Sequence, residues 1–288
     1  MKKELFSMKD RTISSALIAK FEHHLILDER VPATIEKYLR DIRSFAAWLD
    51  TRPLDKTAAA GWKEHLRSSG LCPETVNSKL SALNKFLKFM GQNECCVKYL
   101  RIQHKLFRGS DRELTKADYA RLLETANNMG KTRLALLMET ICATGVRVSE
   151  VRYITVEAAQ AGRAEISLKG KIRTILIPGK LCRKLQKYAR KQKIVSGEIF
   201  LTRNEKGLSR RQIWAEMKSL CARAGVAASK VFPHNLRHLF AQAFYRACRD
   251  VVKLADVLGH SSIETTRIYL ISTGAEHARQ LERLGLVS

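Results

Sequence analysis

The stretch RAEISLKGKIRTILIP, residues 163–178, decides the fold class, because it carries the one convincing β pattern in a chain whose other periodic segments are helical. Two runs rich in branched apolar residues, 164–168 and 172–177, flank the turn Lys169-Gly170-Lys171. Short runs of this kind joined through a glycine predict an antiparallel hairpin. The sequence therefore predicts a mainly α protein with a small antiparallel β element, and the turn of that element carries two lysines.

On either side of the hairpin, apolar residues recur at spacings of three and four, which gives a helix one apolar face. This pattern covers residues 17–25, 35–49, 76–90, 114–142 and 210 onward. Thr115, followed three positions later by Asp118, predicts the capped start of a helix. We therefore expect a helical bundle in the first hundred residues and more helices around the hairpin.

A chain of 288 residues is long for one compact domain. Residues 98–112 are basic, weakly periodic and contain Gly109, Ser110 and Asp111, which is the composition of a linker. We place the boundary there and predict an N-terminal helical domain at 1–107 and a C-terminal domain at 108–288.

The net charge favours a polyanionic partner. Lysine and arginine number 52 against 28 aspartates and glutamates, which gives a formal charge of +24. Duplex DNA carries about one negative charge per 1.7 Å of its axis, so nucleic acid is the first partner to consider. A ribosomal or membrane-surface protein is the alternative that charge alone leaves open.

Other features of the composition indicate a cytoplasmic protein. No apolar run approaches the length of about 20 residues that a membrane span needs, and the first residues lack the apolar block of a secretory signal. The seven cysteines are odd in number and show no CxxC spacing, so we expect reduced thiols.

Three segments carry chemistry: TGVRVSE at 144–150, PHNLRH at 233–238, and LGH at 258–260 with Tyr269 downstream. Arg147 follows Gly145 at a predicted helix start, where free backbone N–H groups favour an anion. His234, Arg237 and His238 fall at i, i+3 and i+4, so one helical face presents all three.

Residues 261–264, SSIE, predict a capping box, which places Tyr269 about two turns along the helix that follows. An unperturbed phenol, with a pKa of about 10, is a poor nucleophile unless cations stabilise the phenolate or a base takes its proton. His234 and His238 have the spacing of a metal pair but lack a marked third ligand, and no Asp/Glu cluster suits Mg²⁺. We expect no metal and no other cofactor.

Taken together, the order and spacing of these motifs resemble the tyrosine recombinase (phage integrase) family, and most closely its simple two-domain Xer-like and transposon-integrase members. That family has a T-G-x-R-x-S-E run, matched at 144–150, and an H-x-x-R-H motif, matched at 234–238. An L-G-H motif with a tyrosine nine positions later is matched by His260 and Tyr269.

The resemblance implies a SAM-like N-terminal DNA-binding domain and a C-terminal catalytic domain. It also implies that Tyr269 is the nucleophile and that Glu150 and His238 support the residues in contact with substrate. The other implied catalytic residues are Arg147, Lys169, His234, Arg237 and His260. The family's catalytic lysine lies in the hairpin turn, and Lys171 is the alternative to Lys169.

The implied function is site-specific recombination of double-stranded DNA through a 3′-phosphotyrosyl intermediate and a Holliday junction, without metal or ATP. The active form implied is a homo-tetramer on paired sites, and the free protein is expected to be a monomer or weak dimer. A C-terminal helix at 275–286 is expected to dock in cis or in trans. The alternatives are a catalytically silent DNA-binding regulator on the same fold, a type IB topoisomerase-like enzyme and, least favoured, a metal-dependent nuclease.

Overall fold

The computed structural model describes residues 13–102, 112–168, 171–260, 262–267, 269, 282 and 283, with the backbone alone at 168, 171 and 172. It divides into two compact units, which lie within residues 1–104 and 105–288. The described elements are helices and one two-stranded antiparallel sheet, so the predicted fold class is confirmed. The predicted boundary between 107 and 108 and almost all of the predicted docking helix lie outside the described residues.

The N-terminal unit is a helical bundle. Its helices are α1 (Ser15–Leu27), α2 (Pro32–Leu49), α3 (Lys56–Ser68) and α4 (Pro73–Phe89), followed by a 3₁₀ turn at Asn93–Cys95. Ser14 and Asp55 cap α1 and α3 through their side chains, whereas α2 and α4 begin at prolines, whose fixed φ suits the first helical position. Phe21, Phe45 and Phe86 are fully buried, so aromatic side chains fill the centre of this bundle.

The C-terminal unit packs its helices around a second core, and the hairpin joins that core through one face. Its helices are α5 (Lys116–Asn128), α6 (Thr132–Thr144), α7 (Val156–Ala161), α8 (Gly179–Lys191), α9 (Arg210–Lys218), α10 (Cys221–Ala224), α11 (Pro233–Cys248), α12 (Val251–Leu258) and α13 (Ile263–Arg267). The predicted cap of α5 is confirmed, because Thr115 and Asp118 bond each other's backbone N–H groups. None of the helices described in either unit is long and apolar enough to cross a membrane.

The hairpin consists of β1 (Arg163–Leu168) and β2 (Lys171–Leu176), paired so that Ile166 lies opposite Arg173 and Leu168 opposite Lys171. This register corrects the predicted turn. Lys171 belongs to β2, and only two residues separate the paired positions 168 and 171. A short loop of this kind matches the twist of the flanking strands better than the three-residue turn expected from the sequence.

Candidate active site

Arg147 lies in the connection that follows α6. The helix ends at Gly145 in the left-handed conformation, and Arg147 is the N-cap of a 3₁₀ helix, Val148–Tyr153. The Arg147 backbone N–H and its Nη1 donate to the two carboxylate oxygens of Glu150, each over 2.9 Å. The guanidinium is thus held by one buried carboxylate, and its side chain is still 38% exposed, so that it can reach a ligand.

Arg237 lies on α11 and is only 2% exposed. Its Nη1 donates to the carbonyl of Gly145, and its Nη2 donates to the carbonyl of Leu258 over 2.7 Å. These carbonyls stand at the C-terminal ends of α6 and α12, where backbone oxygens lack helical partners and the helix dipole is negative. Two helix ends therefore hold a guanidinium that no carboxylate contacts directly among the described residues.

Glycines make this close approach feasible at both helix ends. Gly145 and Gly259 have φ values of +65° and +62°, a backbone conformation that residues other than glycine rarely adopt. A Cβ on Gly145 would collide with the ring of Phe240, and one on Gly259 would collide with the side chain of Arg173. The glycines of the TG and LGH motifs are therefore required by backbone conformation and by packing.

A third guanidinium, which sequence reasoning missed, completes the cluster. Arg173 of β2 places Nη2 2.6 Å from Glu150 Oε2, and its Nη1 donates to the Leu258 carbonyl. Its charge lies on the same face of β2 as the buried Ile175, and this exception to the apolar pattern is the signal that could have identified it. Arg147 and Arg173 share the carboxylate of Glu150, and Arg237 pairs with no carboxylate among the described residues. This surplus of positive charge suits a phosphate.

Tyr269 lies directly beside this cluster. The sequence predicts it two turns along a helix, but α13 ends at Arg267 and the Tyr269 backbone N–H donates to Thr266 O over 2.9 Å in the turn that follows. That prediction was wrong because the helix is short. The Tyr269 ring is 5% exposed, and its hydroxyl interacts with the Arg237 guanidinium in the direction that raises the pKa of that arginine, against the larger effect of burial.

Three histidine rings surround the Tyr269 ring. Their centroids lie 4.2 Å away for His238, 5.6 Å for His260 and 5.7 Å for His234. His238 is buried on α11, whereas His234, at the start of the same helix, is exposed. The structure thus brings together, in one place, Tyr269, the three predicted histidines and both predicted arginines.

The hydrogen bonds of His260 define its tautomer. Arg237 Nη2 lies 3.0 Å from His260 Nε2 and can only donate, so Nε2 accepts. The proton therefore sits on Nδ1, which donates to Thr266 Oγ1 over 2.8 Å. Thr266 is fully buried, and sequence reasoning missed it because no motif marks it beyond its place three residues before Tyr269. We expect His260 to donate to a phosphate, but in this state its Nε2 is an acceptor.

The electrostatics of the site keep His260 neutral and lower the pKa of Arg237. Burial, with the charges of Arg237, Arg147 and Arg173, lowers the pKa of His260 to about 4. Burial and the neighbouring Arg147 also lower the pKa of Arg237 to about 10, which still leaves it charged at neutral pH. An entering phosphate offsets the positive charge, so it should raise the pKa of His260 and make Nε2 a donor.

The remaining predicted site residues are the two lysines. Lys169 lies outside the described residues, and Lys171 is described by its backbone in β2, opposite Leu168. In the described part of the chain, no group of three or more His, Cys, Asp or Glu side chains could hold a metal ion.

Two family models and several known recombinases match this chain over most of its length. Residues 112–276 match the model of the phage integrase family, and residues 18–93 match that of the phage integrase N-terminal SAM-like domain. Tyrosine recombinase XerA of Pyrococcus furiosus is 28% identical, over 97% of this chain and 98% of its own. Tyrosine recombinase XerD of Brucella suis is 30% identical, over 82% of this chain and 85% of its own.

Solved structures share the fold. The XerH site-specific recombinase bound to difH substrate, in its pre-cleavage complex, superposes with a TM-score of 0.67 at 20% identity, covering 93% of this chain and 84% of that one. A lambda integrase tetramer bound to a Holliday junction gives a TM-score of 0.71 at 17% identity, covering 90% and 78%.

The depressed pKa of His260 can be tested by NMR titration of the free protein, with His260→Gln to assign the signal. We expect titration near pH 4 in the wild type and a higher pKa in Arg147→Gln, because one depressing charge is removed. The unfolded chain binds a proton on His260 near pH 6.5 and the folded chain does not. This residue's contribution should therefore lower the stability of the fold as pH falls from 6.5 to 4, and His260→Gln should reduce that loss.

Arg152→Gln is the matched control, since Arg152 is an exposed arginine of the same 3₁₀ helix that bonds Tyr153 instead. It should leave the His260 titration unchanged. A wild-type His260 that titrates at an ordinary histidine pKa would contradict the geometry described for the cluster.

Proposed function

The chain belongs to the phage integrase family, and from this premise we propose that the arginine and histidine cluster around Tyr269 is the active site of its DNA strand exchange. The protein is a site-specific tyrosine recombinase, an enzyme that cleaves and rejoins DNA strands. One observation carries the assignment of the site: the Tyr269 ring lies within 5.7 Å of the rings of His234, His238 and His260, and His260 bonds Arg237 of the guanidinium cluster.

The reaction is a transfer of a phosphodiester from one oxygen to another. The Tyr269 oxygen forms a bond to phosphorus, the bond from phosphorus to the 5′ oxygen breaks, and the 3′ end stays attached to the tyrosine. The resulting phosphotyrosyl ester conserves the bond energy, so rejoining needs no ATP. Such chemistry depends on alignment and on stabilisation of charge on the non-bridging oxygens.

Arg147 and Arg237 supply that charge stabilisation. A guanidinium presents parallel N–H groups to phosphate oxygens and keeps its charge at any physiological pH. Glu150 holds Arg147, and the ends of α6 and α12 hold Arg237, so neither side chain has to become ordered when DNA binds.

The histidines move or hold protons in this proposal. His234, exposed and 5.7 Å from the Tyr269 ring, is the acceptor or relay for the phenol proton. His260 donates to a non-bridging oxygen once the phosphate raises its pKa, and Thr266 fixes its ring orientation. His238 packs against Tyr269 and holds the ring in place.

The assembly and location of the enzyme are also proposals. We expect a homo-tetramer on two paired duplex sites, and the lambda integrase tetramer bound to a Holliday junction supports this expectation. Action on DNA and seven unpaired cysteines support a cytoplasmic location. No observation favours the silent regulator or the topoisomerase-like enzyme, and both lack support among the relatives.

A covalent trapping experiment tests the nucleophile. The protein is incubated in EDTA with a nicked duplex that carries its binding site, selected from random sequence, and the products are separated on a denaturing gel. We expect a protein–DNA adduct from the wild type and none from Tyr269→Phe, which keeps the ring but lacks the attacking oxygen. Tyr245→Phe is the matched control and should form the adduct. A site that is bound but never trapped would favour the silent regulator.

The same duplex distinguishes the two lysines as general acid. We propose Lys169, which should protonate the departing 5′ oxygen. Lys169→Ala should slow cleavage about 10²-fold or more, whereas Lys171→Ala should keep most of the activity. A duplex with sulfur in place of the bridging 5′ oxygen should restore cleavage by Lys169→Ala, because a thiolate leaves without a proton. A defect confined to Lys171→Ala would reverse the assignment.

The role of the C-terminal segment follows from the tetramer proposal. Deletion of the residues after Gly274 should abolish synapsis of two duplexes in a gel-shift assay but leave binding of one duplex intact. Truncation after Leu286 removes only the last two residues and should behave as wild type. Unchanged recombination by the longer deletion would refute the docking role.

A further inference from the structure

Arg173 is the one cation of the cluster that has no role in the reaction as derived so far. Its side chain is 16% exposed and spans two elements: Nη2 is paired with Glu150 Oε2 over 2.6 Å, and Nη1 donates to the carbonyl of Leu258. Its aliphatic part lies so close to Gly259 that any larger residue there would collide with it. Arg173 therefore joins β2 to the 3₁₀ helix of Glu150 and to the end of α12.

The N–H groups of Arg173 are directed into the protein rather than toward a ligand. Both of its terminal nitrogens have protein partners, and its buried Nε has no hydrogen-bond partner among the described residues. Arg147, by contrast, keeps an exposed guanidinium. Arg173 is thus suited to act through another group, as a positioning residue.

The group that it can position is set by the register of the hairpin. Ile166, opposite Arg173, and Ile175, two residues further along β2, are 1% and 3% exposed, so this face of the hairpin packs on the protein. Two residues before Arg173 lies Lys171, the first residue of β2, and Lys169 falls in the two-residue connection between the strands.

We propose that Arg173 is a positioning residue for the general acid: it holds the lysine-bearing end of the hairpin at the same phosphate that Arg147 and Arg237 bind. This rests on the proposed function, since it needs a lysine that protonates the departing 5′ oxygen. Glu150 then has two tasks, because one oxygen accepts from the phosphate-binding Arg147 and the other from Arg173. The phosphate ligand and the proton donor are aligned through one buried carboxylate.

The test uses the two duplexes that differ only in the bridging atom. With oxygen, the Tyr269 oxygen bonds phosphorus, the bond to the 5′ oxygen breaks, and that oxygen takes a proton from the lysine. With sulfur, the same bonds form and break, but the thiolate leaves unprotonated. We expect Arg173→Gln to cleave the oxygen duplex about 10²-fold more slowly than the wild type and the sulfur duplex at nearly the wild-type rate.

Arg163→Gln is the matched control, since Arg163 is an exposed arginine of the same hairpin at its far end, and it should cleave both duplexes normally. Recovery on the sulfur duplex requires a folded variant, so a folding defect cannot mimic it. Equal slowing of Arg173→Gln on both duplexes, or no slowing on either, would overturn the proposal. An absence of adduct from the wild type would instead refute the proposed function, so the two failures are distinct.

Discussion

The proposed active site depends on a mismatch of charge: three buried or half-buried guanidiniums lie close together, and in the described part of the chain one carboxylate, Glu150, pairs with two of them. Helix-end carbonyls make this arrangement stable. The oxygens of Gly145 and Leu258 accept from Arg237 and in part from Arg173, and they supply negative potential without supplying a formal negative charge. A carboxylate in their place would neutralise the site. Because backbone dipoles at two helix ends hold Arg237, its positive charge remains available for a phosphate.

The use of helix-end carbonyls to hold Arg237 explains the other features of the site. Carbonyls can accept from a guanidinium only when it comes close to the backbone, so Gly145 and Gly259 end their helices in the left-handed conformation and leave room for Phe240 and Arg173. The surplus charge also keeps His260 neutral in the free protein. The site is thus prepared for an anion in its geometry and in its protonation state.

Much of this could be predicted from the sequence. The hairpin, the helical segments and the cap at Thr115 follow from local periodicity and side-chain chemistry, and the motifs at Arg147, Arg237, His260 and Tyr269 identify the family. Local rules failed where tertiary contacts decide. The tautomer of His260, set by Arg237 and Thr266, and the recruitment of Arg173 by Glu150 depend on residues in other elements, and local periodicity did not predict that α13 ends before Tyr269.

The convergence of α6, α11 and α12 on Arg237 also bears on protein synthesis. Arg237 acquires its full set of partners only when Leu258 and His260 have left the ribosome and folded, and the nucleophile emerges later still. A nascent chain that ends before Leu258 therefore lacks both the partners of Arg237 and the tyrosine. In the proposed function, strand cleavage has to wait until the chain has been synthesised and folded as far as Tyr269.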